Sequence, residues 1–257
     1  MNPNLCRVVL RPRGPLEVFD LGVRLVATNA GPLLRLSALL VLPAWGVCST
    51  IAIAAPEWPG LPLAAAALLA FPIQAPFTLM GGRLLFQETV SAREVLRATA
   101  SLWASCVGVW TIQAFAMVLG MAMCGWGLLI TLIPTLFVAE TTLLERVEFS
   151  RSLRRSTRLA SAHPGTAAVG ALGYFGLVVW GGIVGEFGGA ALLGTVLQLG
   201  SPFGTMFTGS VTPGLLLGVL AAQPLYAIYR LMLYVDVRTR VEGWDLQVRL
   251  RAAGLGQ

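Results

Sequence analysis

The chain has no lysine, one histidine and four cysteines in 257 residues, and only 12% of it is charged. Each scarcity removes a class of function. A single histidine, His163, excludes multi-histidine metal sites and disfavours most acid–base schemes. Cys6, Cys48, Cys106 and Cys124 show neither CxxC spacing nor a metal-ligand pattern. They read as apolar thiols of membrane helices, with a Cys48–Cys124 bridge left open because both fall toward one side. No GxSxG, P-loop or HExxH motif occurs. No cofactor is expected, and no nucleic-acid partner, since no recognition module is visible. The stretch "MNPNLCRVVLRPRGP" has no apolar core before Pro15, so neither a secretory signal nor a lipoprotein reading fits. The absence of lysine is read as codon bias in a GC-rich genome.

Hydrophobic residues make up 56% of the chain and the mean hydropathy is +0.76. A soluble domain is usually about 25% charged, so the chain is placed in a bilayer. Crossing one takes about 20 mostly apolar residues. Six stretches qualify: 33–55, 61–82, 102–124, 126–144, 165–185 and 213–235. The connections 56–60, 125–127 and 186–212 contain no arginine, whereas the N-terminus, 83–101, 145–164 and the tail are rich in it. The positive-inside rule then predicts both termini in the cytoplasm. Trp45, Trp58, Trp103, Trp110, Trp126 and Trp244 mostly fall near span ends, as an aromatic belt requires. The expected fold is all-α: one polytopic transmembrane domain over 1–257 with a tail at 236–257.

A weak threefold pattern runs through the spans. "PFTLMGGRLLFQE" (76–88), "PTLFVAETTLLER" (134–146) and "PLYAIYRLMLYVD" (224–236) each carry a proline, a later charge (Arg83, Glu140, Arg230) and then an acid (Glu88, Glu145, Asp236). Segments opening on glutamate at 17, 94 and 148 precede spans one, three and five as amphipathic or basic surface helices. Three helix-plus-hairpin units would result, with shared interface chemistry as the competing explanation. In the first, Leu16, Phe19, Val23 and Val26 form the apolar face. In the third, Arg146, Arg151, Arg154, Arg155 and Arg158 suit an anionic inner leaflet, each contributing roughly 1 kcal/mol.

Within the spans, Gly181, Gly185 and Gly189 stand four apart with Gly173 on the same face, a spacing that allows close helix contact. Packing within the bundle is favoured there over a homodimer seam. Pro72 and Pro76 flank Gln74, predicting a kinked second span and a candidate polar path. Glu140 and Glu186 are candidate functional acids by virtue of their position in apolar segments. The closing stretch "YVDVRTRVEGWDLQVRLR" (234–251) adds Asp236, Arg238, Arg240, Glu242 and Asp245. As a helix it offers Asp236–Arg240, Arg238–Glu242 and Asp245–Arg249 at i,i+4, with Gly243 as its stop; its Val235–Val237–Val241 alternation also fits a strand. Docking on the basic segment 146–161 is the expected further role.

"RPRGPLEVFDLGVRLVATNAGPLL", "VAETTLLERVEFSRSLRRSTRLA" and "LMLYVDVRTRVEGWDLQVRL" together resemble bacterial six-span membrane proteins labelled as the membrane domain of glycerophosphoryl diester phosphodiesterase. The C-terminal signature of that family maps onto Tyr234, Asp236, Arg238, Arg240, Glu242, Gly243, Asp245 and Leu246, with Val241 replacing a commonly seen arginine. The resemblance implies a bacterial inner-membrane module without the hydrolase, whose paired histidines and acidic metal ligands are not found here. The expected function is a non-enzymatic scaffold or accessory module in envelope or lipid homeostasis. Its expected partners are membrane lipids, anionic at the cytoplasmic face, or another membrane protein. A small transporter or permease with a path near span two is the alternative. A lipid-headgroup enzyme using Glu140, Asp236 and Glu242 is the weaker one.

Overall fold

A backbone in hydrocarbon has to satisfy its own N–H and C=O groups, and helices do this throughout the described part of the chain. The computed structural model describes residues 13–243 apart from 88, 124–125, 147, 201–202, 204, 206 and 208. Its helices are α1 (Pro15–Thr28), α2 (Ala30–Ala54), α3 (Gly60–Leu84), α4 (Ala92–Ser101), α5 (Trp103–Ala122), α6 (Trp126–Thr135), α7 (Val138–Leu143), α8 (Phe149–Ala162), α9 (Pro164–Ala191) and α10 (Pro213–Glu242). No strand occurs among the described residues. Five helices are long and apolar enough to cross a membrane: α2, α3, α5, α9 with its extension to Val196, and α10.

Local chemistry sets the boundaries. Pro15 opens α1 at a position where its missing N–H costs nothing. Asn29 closes α1, its backbone N–H and its Nδ2 both donating to the Leu25 carbonyl. Gly243, at φ 57°, stops α10 in the left-handed conformation that glycine adopts without strain. Residues 234–242 are therefore helical, and the strand alternative for the tail is overturned. α3 runs through Pro72 and Pro76 as one helix. α9 extends past the expected 185 and ends in a π-helical turn, Leu192–Val196.

The stretch 126–144 departs from the expected continuous span. It is two helices, α6 and α7, separated by Leu136 and Phe137. Pro134 lies inside the last turn of α6, which ends one residue beyond it at Thr135. Ser156 of α8 bridges the gap: its Oγ donates to the Pro134 carbonyl at 2.8 Å and accepts from the Phe137 N–H at 3.1 Å.

The fold groups into two compact units. The first comprises the described residues of Met1–Leu33, Ala75–Leu172 and Ala227–Gln257; the second comprises Leu34–Gln74 and Gly173–Tyr226. In the first, Phe77, Met80 and Leu84 of α3, Phe137, Leu143 of α7, and Ile228, Leu231 and Leu233 of α10 are buried. A Cβ on Gly81 would meet Ile228 and Leu231, and one on Gly82 would meet Leu144, so residues 77–84, 136–144 and 227–235 share one core. α1 packs through Val18, Gly22 and Leu25, with Gly22 against the Tyr229 backbone. On the expected apolar face, Leu16 and Val23 point outward from the protein, and Phe19 meets the Tyr229 ring edge-on at 5.4 Å.

In the second unit the glycine face of α9 has its partner within the chain. A Cβ on Gly181 would lie 2.5 Å from the Gly218 carbonyl oxygen, and one on Gly189 would lie 3.2 Å from Gly214 Cα. Gly185 is closer still to Gly214 and Gly218. Gly173, two turns earlier on α9, is half-buried. The Tyr174 and Tyr226 rings pack beside the seam at 4.8 Å between centroids.

Candidate functional site

The acids singled out from sequence lie in four different settings. Glu140, on the buried helix α7, accepts from Arg230 Nε of α10 at 2.7 Å. Their side chains are 0% and 2% exposed, making this an ion pair inside the first unit's core. Burying a single charge there would cost several kcal/mol, and pairing offsets most of it. Both residues belong to the recurring segments, and the structure brings these two positions together.

One turn further along, a second cluster forms. Arg155 of α8 donates through Nη2 to Glu145 Oε1 at 2.8 Å and to Glu242 Oε2 at 3.1 Å. Arg238 donates through Nε to Glu242 at 2.9 Å and lies 3.4 Å from Glu145. The Tyr234 hydroxyl closes the ring by donating to Glu145. Two arginines and two glutamates thus neutralise one another, tying the end of α7, the middle of α8 and the last turns of α10. The hydrogen bond to Glu145, then that to Glu242, raise the Arg155 pKa above its ordinary value. Arg155 differs here from its expected lipid-facing role, because the i,i+3 step from Ser152 turns it inward. Arg146, Arg151, Arg154 and Arg158 are exposed.

A third cluster fastens Arg13, just ahead of α1. Arg13 N–H donates to Asp236 Oδ1 at 2.8 Å, and Arg240 Nε donates to Asp236 Oδ2 at 2.9 Å. Arg240 also donates to the Arg13 carbonyl. The expected pairs Asp236–Arg240 and Arg238–Glu242 are both present. Asp245, with its suggested partner Arg249, lies outside the described residues, as do Glu88, Cys124 and Trp244. Glu140, Asp236 and Glu242 take different cationic partners.

Beneath the arginines of α8 runs a row of buried hydroxyls absent from the sequence reading. Ser152 Oγ contacts the hydroxyls of Thr141 and Thr142 at 2.5 Å each. Ser156 spans the α6–α7 break as described. The signal for both was in the sequence: serines at i,i+4 on an otherwise basic helix.

In the second unit, Gln74 Nε2 donates to Gln223 Oε1 at 2.7 Å, both residues being buried. Gln113 lies half-buried on α5 of the first unit. Glu186, buried near the end of α9, accepts from the Thr212 hydroxyl. Thr212 also caps α10, its Oγ1 accepting from Leu215 N–H at 3.1 Å. Beside them is a cavity of about 400 Å³, lined by Trp45, Ser49, Glu186, Leu193 and Leu217 among others. Among the described residues no group of three or more His, Cys, Asp or Glu is placed to hold a metal ion.

Fold and clusters define a protein that is helical with no strand among the described residues, has five helices long and apolar enough to cross a membrane, and fastens its first unit with neutralised ion pairs. No family model matches the chain, and neither the curated proteins nor the solved structures contain a match.

Proposed function

We propose that this chain is a six-span protein of the bacterial cytoplasmic membrane with both termini inside, acting as a non-enzymatic scaffold or accessory module in envelope or lipid homeostasis. The observation carrying this reading is the engagement of its chemistry-bearing residues in mutual fastening. Glu145, Arg155, Arg238 and Glu242 neutralise one another, and Asp236 is held by Arg13 and Arg240.

The same contacts support six crossings. Arg13, Arg155, Asp236 and Glu242 meet at one end of the first unit, which requires an even number of crossings between each pair. The broken segment α6–α7, whose apolar part is Ile130–Leu143, supplies the crossing that completes the count. The arginine-free connections then fall outside. The element order, a short helix before two long apolar segments three times over, favours the threefold repeat, as does the shared core of its three closing segments. α1, α4 and α8 act as amphipathic surface helices, with Arg151, Arg154 and Arg158 turned toward anionic lipid. Kinship with the glycerophosphodiesterase-associated membrane modules rests on the quoted motifs.

Reporter fusions test the topology: fusions after residues 57 and 209 should report outside, and those after 87, 146 and 257 inside. An outside signal at 146 sinks the six-span reading. Purification in native lipid particles tests the function, with enriched anionic lipid or a stoichiometric membrane partner expected. A chain recovered with neither would count against a scaffold. The transporter reading keeps one specific observation in its favour, the cavity beside Glu186.

A further inference from the structure

Acids in apolar segments are costly and seldom idle, and Glu186 lies in the second unit, outside the ion-pair clusters of the first. The segment 186–212 contains no basic residue, and none lines the cavity beside it. The site is nevertheless built. Thr212 is fixed by its capping role at the start of α10 and directs its hydroxyl at the Glu186 carboxylate. Trp45 is fixed by donating its indole N–H to the Pro213 carbonyl at 2.7 Å. Ser49 lines the same cavity from α2, is 8% exposed, and its Oγ has no hydrogen-bond partner among the described residues. A buried hydroxyl left without a partner costs about 1–3 kcal/mol, which a ligand donor or acceptor would recover. The remaining wall, including Leu193, Leu217 and Ala190, is apolar.

We propose that this cavity binds a small organic amine, its ammonium on Glu186 and Ser49 and its apolar body against Trp45, Leu193 and Leu217. Three features select this chemistry. The carboxylate and the open hydroxyl are both acceptors for ammonium N–H groups. An indole wall favours a nearby cation. A volume of about 400 Å³ falls in the range of small-molecule pockets, roughly 300–1,000 Å³. The absence of any basic side chain disfavours phosphate-bearing or carboxylate ligands, because nothing there would receive their charge.

The proposal rests on the membrane reading above, and its test separates the two. The full chain is placed in phosphatidylcholine nanodiscs and its uptake of 4-phenylbutylamine measured by equilibrium dialysis against empty discs. Saturable binding of one amine per chain is expected, with 4-phenylbutanol and 4-phenylbutyrate weaker by at least about tenfold, the loss of a charge-assisted hydrogen bond. Glu186→Gln should lower amine affinity by a similar factor and Ser49→Ala by about threefold. Ala190→Phe, on an exposed wall position, should abolish binding by filling the cavity, and it keeps the test informative if Glu186→Gln fails to fold. Uptake no greater than by empty discs, or equal uptake by wild type, Glu186→Gln and Ala190→Phe, overturns the site while leaving the membrane reading intact. Release of the chain from membranes by alkaline carbonate would instead overturn the membrane reading.

Discussion

The buried pair Glu140–Arg230 gives the sharpest test of how the first unit is held. Its 2.7 Å contact joins side chains 0% and 2% exposed, 90 residues apart in sequence. Changing Glu140→Leu leaves a guanidinium in the core, and Arg230→Met leaves a carboxylate; each should cost about 3–5 kcal/mol. Replacing both, as Glu140→Leu with Arg230→Met, removes the two desolvation costs together. That double variant should fall within about 1–2 kcal/mol of wild type, or exceed it. Unfolding of the protein in mixed micelles by SDS titration, followed by helix content, gives the four free energies of a double-mutant cycle. Arg154→Ala, on the exposed face of α8, serves as the reference for a charge that should not matter. Additive losses, or single losses below about 1 kcal/mol, would refute the reasoning, because a dry paired charge cannot lose its partner cheaply.

Other outcomes follow from the same geometry. Gly181→Ala should destabilise by about 1–3 kcal/mol, since the new methyl would meet the Gly218 carbonyl oxygen, whereas Gly176→Ala, with open space around it, should be near neutral in the same titration. Ser156→Ala should cost about 1–3 kcal/mol by stripping the bridge across the α6–α7 break; Ser161→Ala, exposed and donating to the Arg158 carbonyl of its own helix, should not. Arg155→Met should cost about 1–2 kcal/mol by leaving Arg238 to neutralise both Glu145 and Glu242, while Arg155→Lys should recover only part of that, lacking the fork that reaches both acids. Limited proteolysis should then show earlier cleavage near residue 146, where the chain leaves α7 at a positive φ of 54°.

Much of this protein is legible along the chain because its signals are local. Length and hydropathy mark the apolar helices, since spanning hydrocarbon is a property of about 20 consecutive residues. The pairs Asp236–Arg240 and Arg238–Glu242 follow from helical periodicity alone, as does the stop at Gly243. The glycine spacing of α9 is equally plain, although its partner, Gly214 and Gly218 of α10, is not. Pro134 announces a disturbance in 126–144, but a proline also occurs twice within uninterrupted α3. What decides between these outcomes is whether another element can satisfy the freed groups, and Ser156 does so across 22 residues.

The composition and order of residues thus determined an all-helical chain with several apolar helices and arginines gathered in a few segments between and beyond them. Tertiary structure alone decided which charges from distant segments meet. Arg155 joins Glu242 across 87 residues, and Glu140 joins Arg230 across 90. It also decided that α1 turns Val18, Gly22 and Leu25 inward and leaves Leu16 outside. The physical reason is the same in each case. A side chain's face is set by local periodicity, but its partner is set by which distant segment excludes water or lipid from it, and no spacing within one helix records that.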